Sequence, residues 1–288
     1  MYKEVLESLN LKPGKIIVDA TIGTAGHSLG IIKEISPGGR LIGIDKDEES
    51  LAVARERLKD FIEAVTLLND DFRNIDGILG RLGIKKIDGI LFDLGVSSYQ
   101  LEDPERGFSF NLEGPLDMRM DRRSFISAYD LVNNLNEEEL SNLLRSYGQE
   151  RWHNRIARLL VKERERSPIA TTVQLANIVL RAMPRGSGYQ RIHPATRTFQ
   201  AIRIAVNREL EALEETINKS IALLNKGGRI CVVSFHSLED RIVKWDFRKS
   251  AHEQMITVLT KKPWIALERE RLDNPKCRSA KLRVAEKN

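Results

Sequence analysis

Ile16-Ile17-Val18-Asp19-Ala20-Thr21-Ile22-Gly23-Thr24-Ala25-Gly26-His27 is the stretch that decides the fold. Three consecutive β-branched residues without polar alternation read as a strand covered on both faces, as in a parallel sheet. The run ends in a carboxylate, and small residues at 23, 25 and 26 then let the backbone turn tightly and approach a ligand closely. Residues from His27 to Ile35 read as the helix that follows. The loop is not a G-x-G-x-x-G fingerprint, so a purely structural turn stands beside the cofactor-binding one.

Outward from this unit the pattern repeats. Leu41-Ile42-Gly43-Ile44, Val65-Thr66-Leu67-Leu68 and Ile90-Leu91-Phe92 are further apolar runs. Glu48 to Phe61 places Leu51, Ala54, Leu58 and Phe61 on one helical face. Strand–helix repetition of this kind predicts a doubly wound α/β sheet. After Phe92 the period is lost: residues 99–125 are rich in Gly, Pro, Asp and Arg. Helical stretches are predicted near Asn136–Glu165 and Thr172–Ala182, with Ser167-Pro168 between them, and Gly186-Ser187-Gly188 reads as a mobile loop. One long helix is predicted from about Ala195 to Leu224, ended by Gly227-Gly228. Ile230 to Phe235 is another buried strand, and Ile256, Val258 and Lys281-Leu282-Arg283-Val284 suggest a terminal antiparallel pair. The sheet is thus expected to be interrupted after its fourth strand, with core segments 1–101 and 193–288 around a mostly helical inserted domain, 102–192.

The chain has 288 residues, 41% hydrophobic and 30% charged, which excludes a disordered polymer and fits a core domain with a large insertion. No run approaches 18 apolar residues, so no membrane partner is expected. Met1-Tyr2-Lys3-Glu4 lacks the basic and apolar regions of a secretory leader. Cys231 and Cys277 form neither a zinc cluster nor a disulfide framework, so no metal is assigned and a reducing cytoplasm is expected. The net charge is +5, and residues 241–288 alone carry 13 basic and 6 acidic side chains, or +7. That segment reads as a polyanion footprint or a solvated surface.

Candidate chemistry sits at the strand ends. Asp45 lies 22 residues after Gly23, where a carboxylate takes ribose hydroxyls, although it or Asp47 could instead cap the next helix. Asn69-Asp70-Asp71-Phe72 offers an acid and an aromatic for base recognition, with core packing of Phe72 as the alternative. Asp93-Leu94-Gly95-Val96-Ser97-Ser98 is a polar cluster at an active-site position for this architecture. No P-loop, His-Glu-x-x-His or Gly-x-Ser-x-Gly element supports NTP hydrolysis, zinc proteolysis or α/β-hydrolase chemistry.

Longer motifs carry a family resemblance: Asp93 to Ser98, Arg106-Gly107-Phe108-Ser109-Phe110, Gly114 to Asp121, His193 to Ala201, Ser234 to Arg241, and Arg278 to Arg283. From about Glu4 to the C-terminus the chain resembles the bacterial 16S rRNA cytosine-N4 methyltransferases, the RsmH or MraW family. The resemblance implies a class I, Rossmann-like methyltransferase sheet using S-adenosylmethionine. It also implies a cytidine in the decoding region of the small ribosomal subunit as substrate, with 16S rRNA rather than DNA as partner and a homodimer left open. It implies cofactor contacts from Ala25, Gly26, His27, Asp45, Phe72, Asp93 and Gln100. The family pattern has glycine at position 25, proline at 99 and glutamate at 149, and a His-x-Pro-Val segment ahead of Lys3. An alanine at 25 is expected to need a negative φ.

Cytosine N4 is a poor nucleophile because its lone pair is delocalised, so acceptors that hold its hydrogens would localise that pair. Asp93 and Ser97 are the candidates, with cofactor contact alone the alternative for Asp93. Phe108 and Phe110 could stack on an extruded base or simply anchor the insertion. Arg106, Arg119, Arg122 and Arg123 could hold phosphates or pair with Glu105, Asp117 and Asp121. His236, with Glu239 and Asp240, could line the substrate site, although Ser237 and Asp240 have capping-box spacing. Lys281 belongs to the basic end expected to touch RNA. Two other functions remain at this level: a nicotinamide oxidoreductase on the same sheet, and a non-catalytic RNA-binding assembly factor.

Overall fold

The computed structural model describes residues 1–184 and 192–288; the Gly186-Ser187-Gly188 loop lies outside them. The apolar runs become strands β1 (Ile16–Asp19), β2 (Arg40–Asp45), β3 (Val65–Asn69) and β4 (Ile87–Asp93). Among them run helices α1 (Tyr2–Ser8), α2 (Gly26–Ile35), α3 (Glu48–Arg57) and α4 (Ile75–Arg81). Next come α5 (Ser98–Glu102), α6 (Ala128–Asn134), α7 (Glu137–Gly148), α8 (His153–Arg164), α9 (Thr172–Ala182) and α10 (Ala195–Asn207). The chain then returns to the sheet through α11 (Glu209–Leu223), β5 (Leu224–Ser234), α12 (Ser237–His252), β6 (Ile256–Val258), β7 (Trp264–Ile265), α13 (Glu268–Asp273) and β8 (Lys281–Lys287).

Eight strands form one sheet in the order β3-β2-β1-β4-β5-β8-β6, with β7 also paired to β8. The first five run parallel, and β8 enters antiparallel beside β5, taking β6 and β7 on its outer side. The alternation of β1 explains the three layers. Ile17 points into an apolar cluster with Val5, Ile31, Ile35, Leu51 and Leu58, whereas Val18 joins Ile78, Leu213, Ile217, Val243 and Phe247 on the other face. Each such fully buried side chain contributes roughly 1.5–3 kcal/mol of transfer free energy, so this pattern holds the strand ends rigidly.

Two compact units emerge: Met1–Gly95 with Leu210–Asn288, and Val96–Glu209. The helical unit therefore starts earlier and ends later than the expected 102–192 segment, because α10 packs with α7, α6 and α9 through Ala195, Phe199, Ala201 and Ile202. Two predicted helices are broken. The long one divides at Arg208, whose φ of 50° is left-handed, and the stretch after Asn136 divides at Gln149, with φ of 48°. Gly227-Gly228 does not end a helix; the pair lies at the start of β5, where the register to β4 shifts. Among the described residues, no helix is long and apolar enough to cross a membrane.

Candidate functional site

The parallel strands end in a row of carboxylates: Asp19 on β1, Asp45 on β2 and Asp93 on β4. Asp19 is buried, accepting from Ser28 Oγ at 2.7 Å and the Thr21 amide at 3.3 Å. Burial pushes its pKa up to about 6 against those donors. Asp45 accepts from the Gly23 amide at 2.8 Å and the Asp47 amide at 2.9 Å, so it staples the turn after β1 to β2. Burial raises its pKa to about 6 as well. The following helix is capped by Asp47, whose side chain accepts from the Glu49 amide, which leaves Asp45 outside the cap.

His27 lies in the first turn of α2, with Nδ1 3.3 Å from Asp93 Oδ2 and its ring stacked on Tyr2. Burial disfavours the imidazolium, but the hydrogen bond to Asp93 and the charges of Asp93 and Asp19 outweigh it and raise the His27 pKa. Thr21 Oγ1 accepts from the Asp93 amide at 2.6 Å, which fixes the end of β4 to the same turn. Two polar atoms are buried here without a protein partner, His27 Nε2 and Asp93 Oδ1. A buried orphan costs about 1–3 kcal/mol, so each calls for a ligand.

The α2 N-terminus adds unfilled donors. Its N-cap, Ala25, supplies no side-chain hydrogen bond, and a Cβ built on Gly26 would meet nothing within 4 Å. Ala25 sits at φ 64°, in the left-handed region, and not at the negative φ expected for an alanine. The turn keeps the shape a glycine would adopt because Ala25, 1% exposed, is packed into the core and cannot relax outward.

Phe72 is half-buried, edge-on to Phe92 and beneath Lys46, whose Nζ is 5.6 Å from the ring. Burial opposes ionisation of the neighbouring Asp71, but Lys46 and Arg73 hold its carboxyl below the ordinary range. Asp70 is likewise committed to Asn74 and Arg81.

In the helical unit, Ser97 and Gln100 form a reciprocal capping box at the start of α5: each backbone N–H donates to the other's side chain. Gln100 is buried there. Phe108 is buried in that unit's core, and Phe110 stacks on His193 and meets Phe199 edge-on, so both rings anchor the insertion as they stand. Arg106 is 1% exposed and donates to the Arg119 and Met120 carbonyls, an internal role rather than a phosphate contact. Arg119 grips Asp117 through two nitrogens and donates to the Arg122 and Ser124 carbonyls. Arg123 pairs with Asp121.

Back in the sheet unit, His236 and not Ser237 caps α12. Its Nδ1 accepts from the Glu239 amide, while Glu239 accepts from the Phe235 and His236 amides. Asp240 instead takes Lys281 at 2.9 Å and Arg283 at 2.7 Å. Lys281 is therefore an ion-pair partner within the fold. Sequence reading missed Thr21, Tyr2 and the raised pKa of Asp19; only Asp19, ending an apolar strand, left a signal.

The profile of the MraW methylase family matches residues 1–288. Ribosomal RNA small subunit methyltransferase H of Halothermothrix orenii is 47% identical over 302 residues, covering 100% of this chain and 97% of its own. The protein of the same name from Geobacter sp. (strain M21) is 50% identical over 299 residues, covering 99% of this chain and 96% of its own. A crystal structure of a provisional rRNA methylase from Clostridium thermocellum overlaps with a TM-score of 0.50 at 16% identity, covering 100% of this chain and 95% of that one. This last likeness concerns the fold alone.

Proposed function

The chain belongs to the MraW methylase family, whose members use S-adenosylmethionine, and from that premise we propose that it methylates N4 of a cytidine in the decoding region of 16S ribosomal RNA. The observation that carries this reading is the His27–Asp93 pair, buried at the carboxyl edge of the sheet with one unpartnered polar atom on each residue. Relatives named for small-subunit ribosomal RNA methylation supply the substrate class. Membership of a methylase family removes the nicotinamide oxidoreductase alternative.

The residues fit the donor. When bound, S-adenosylmethionine supplies an electrophilic methyl group on a cationic sulfonium. The uncapped α2 amides suit its carboxylate, and Asp19 and Asp93 suit its positive charges. Asp45 accepts from two backbone amides and keeps lone pairs for ribose hydroxyls, Phe72 offers an apolar face for the base, and Gln100 completes the proposed set.

On the acceptor side, in-line placement matters more than a strong base. Asp93 Oδ1 is assigned to an N4 hydrogen, which localises the nitrogen lone pair and receives the proton that N4 sheds. His27 and Thr21 keep Asp93 from rotating away, from the carboxylate and amide sides respectively. Ser97 is assigned a second acceptor role, shared with its hydrogen bond from the Gln100 amide. The reaction belongs in the cytoplasm, where small subunits are assembled.

The test is methyl transfer from labelled S-adenosylmethionine to purified small subunits and to naked 16S RNA. Label in a decoding-region cytidine supports the reading. Tight donor binding without transfer to either RNA leaves the non-catalytic assembly factor.

A further inference from the structure

Helix α12 carries a basic face on its outer side. Arg241, Lys244, Trp245, Arg248, Lys249 and His252 recur at three- and four-residue spacing, so they share one side of the helix. The opposite side, with Val243 and Phe247, is buried against the sheet. No acid lies among Arg241, Lys244, Trp245 and Arg248 on that face, and Asp246 acts on Lys249 at its edge. Asp240 is consumed by Lys281 and Arg283, and Asp246 lies on the inner flank with one carboxylate oxygen buried. Arg241, Lys244 and Arg248 form no ion pair with any described residue. Helix α3 shows the ordinary alternative, with Glu48, Glu49, Arg55, Glu56 and Arg57 interleaved.

Within this stripe Trp245 is 59% exposed, and the Arg248 guanidinium lies 5.6 Å from its ring centroid. Leaving an indole in water forgoes its burial free energy, and the charges around it favour a polyanion with flat bases over an apolar partner. From Arg241 to His252 the stripe runs about 16 Å at 1.5 Å per residue. Its start is tied to the site: α12 follows β5, whose Val233 is the sheet neighbour of Asp93. The cations therefore begin one helical turn past the carboxyl edge and lead away from it.

We infer that the solvent face of α12 is an RNA-docking surface for the substrate: Arg241, Lys244 and Arg248 contact backbone phosphates, and Trp245 stacks on an unpaired base. This rests on the ribosomal RNA reading above. It puts four of the 13 basic residues of the C-terminal segment, Arg241, Lys244, Arg248 and Lys249, on this helix, while Lys281 and Arg283 share Asp240 inside the fold.

The test uses the full chain loaded with S-adenosylmethionine and purified small subunits over a series of salt concentrations. An Arg241→Gln/Lys244→Gln/Arg248→Gln variant should bind subunits at least about tenfold more weakly at moderate salt. Its log affinity against log salt should lose about 2 units of slope, from three phosphate contacts at roughly 0.7 each. Donor affinity should stay at the wild-type value, which certifies the fold. Trp245→Ala should weaken binding about tenfold and Trp245→Phe should recover most of it, because a phenyl ring still stacks. Wild-type affinity and slope in the triple variant overturn the inference. So does a wild-type dimer that the triple variant dissociates, since the face would then bind a second copy. Single Arg248→Gln, read the same way, serves if the triple variant fails to bind the donor. A wild-type chain that neither binds nor methylates subunits removes the ribosomal RNA reading itself.

Discussion

His27 Nδ1 and Asp93 Oδ2 stand 3.3 Å apart, linking the turn after β1 to the end of β4 across 66 residues of sequence. The contact leaves each residue one buried polar atom to offer elsewhere. His27→Ala should therefore weaken S-adenosylmethionine binding by about tenfold and slow methyl transfer as Asp93 gains freedom. Calorimetric titration checks the first effect and single-turnover rates the second. His27→Asn, which can keep a donor toward Asp93, should recover part of both.

Asp19 ties pH to both stability and donor binding. Its pKa rises from 3.8 to about 6 on folding, so the folded state binds the proton more tightly than the unfolded chain. The resulting stabilisation is complete below about pH 4 and lost as pH climbs through 6. Asp19→Asn should raise stability at pH 7 by on the order of 1–3 kcal/mol and flatten that dependence, as denaturant titrations at several pH values will show. The same substitution should lower donor affinity. In the native protein, affinity for the cationic donor should fall as pH drops below about 6, where Asp19 and Asp45 both take up protons.

Ala25 stores strain in the turn. A left-handed alanine costs roughly 1–2 kcal/mol, offset in Ala25→Gly by the loss of one buried methyl worth about 0.8 kcal/mol. The glycine variant should be more stable by up to about 1 kcal/mol, with donor affinity within about twofold of wild type. Thermal melting with and without donor measures both.

Arg106 is a core residue of the helical unit. Removing it strands the Arg119 and Met120 carbonyls and uncovers Phe108. Arg106→Leu should cost about 2–4 kcal/mol, seen as a lower denaturation midpoint, while donor affinity of the still-folded protein is retained.

The sheet was legible because each central parallel strand is an apolar run ending in a polar residue, and the candidate carboxylates followed from those ends. Ala25, Gly26 and His27 were legible as a turn, but the partner of His27 was not, since no local rule joins residues so far apart. The breaks at Arg208 and Gln149 were hidden because helical periodicity continues through a single left-handed residue. Arg106 misled for a related reason: an arginine beside acids reads as surface until the carbonyls it bridges come together in the fold. β7 left no pattern, being two exposed residues, Trp264 and Ile265, paired with β8.

The central claim is most directly tested by nucleoside mass spectrometry of decoding-region RNA after one turnover with the wild-type chain and with Asp93→Ala. The account predicts N4-methylcytidine at one position with the wild type, and formation at least about 100-fold slower with the variant. Methylation at another atom or base, or a variant that matches the wild-type rate, would contradict it.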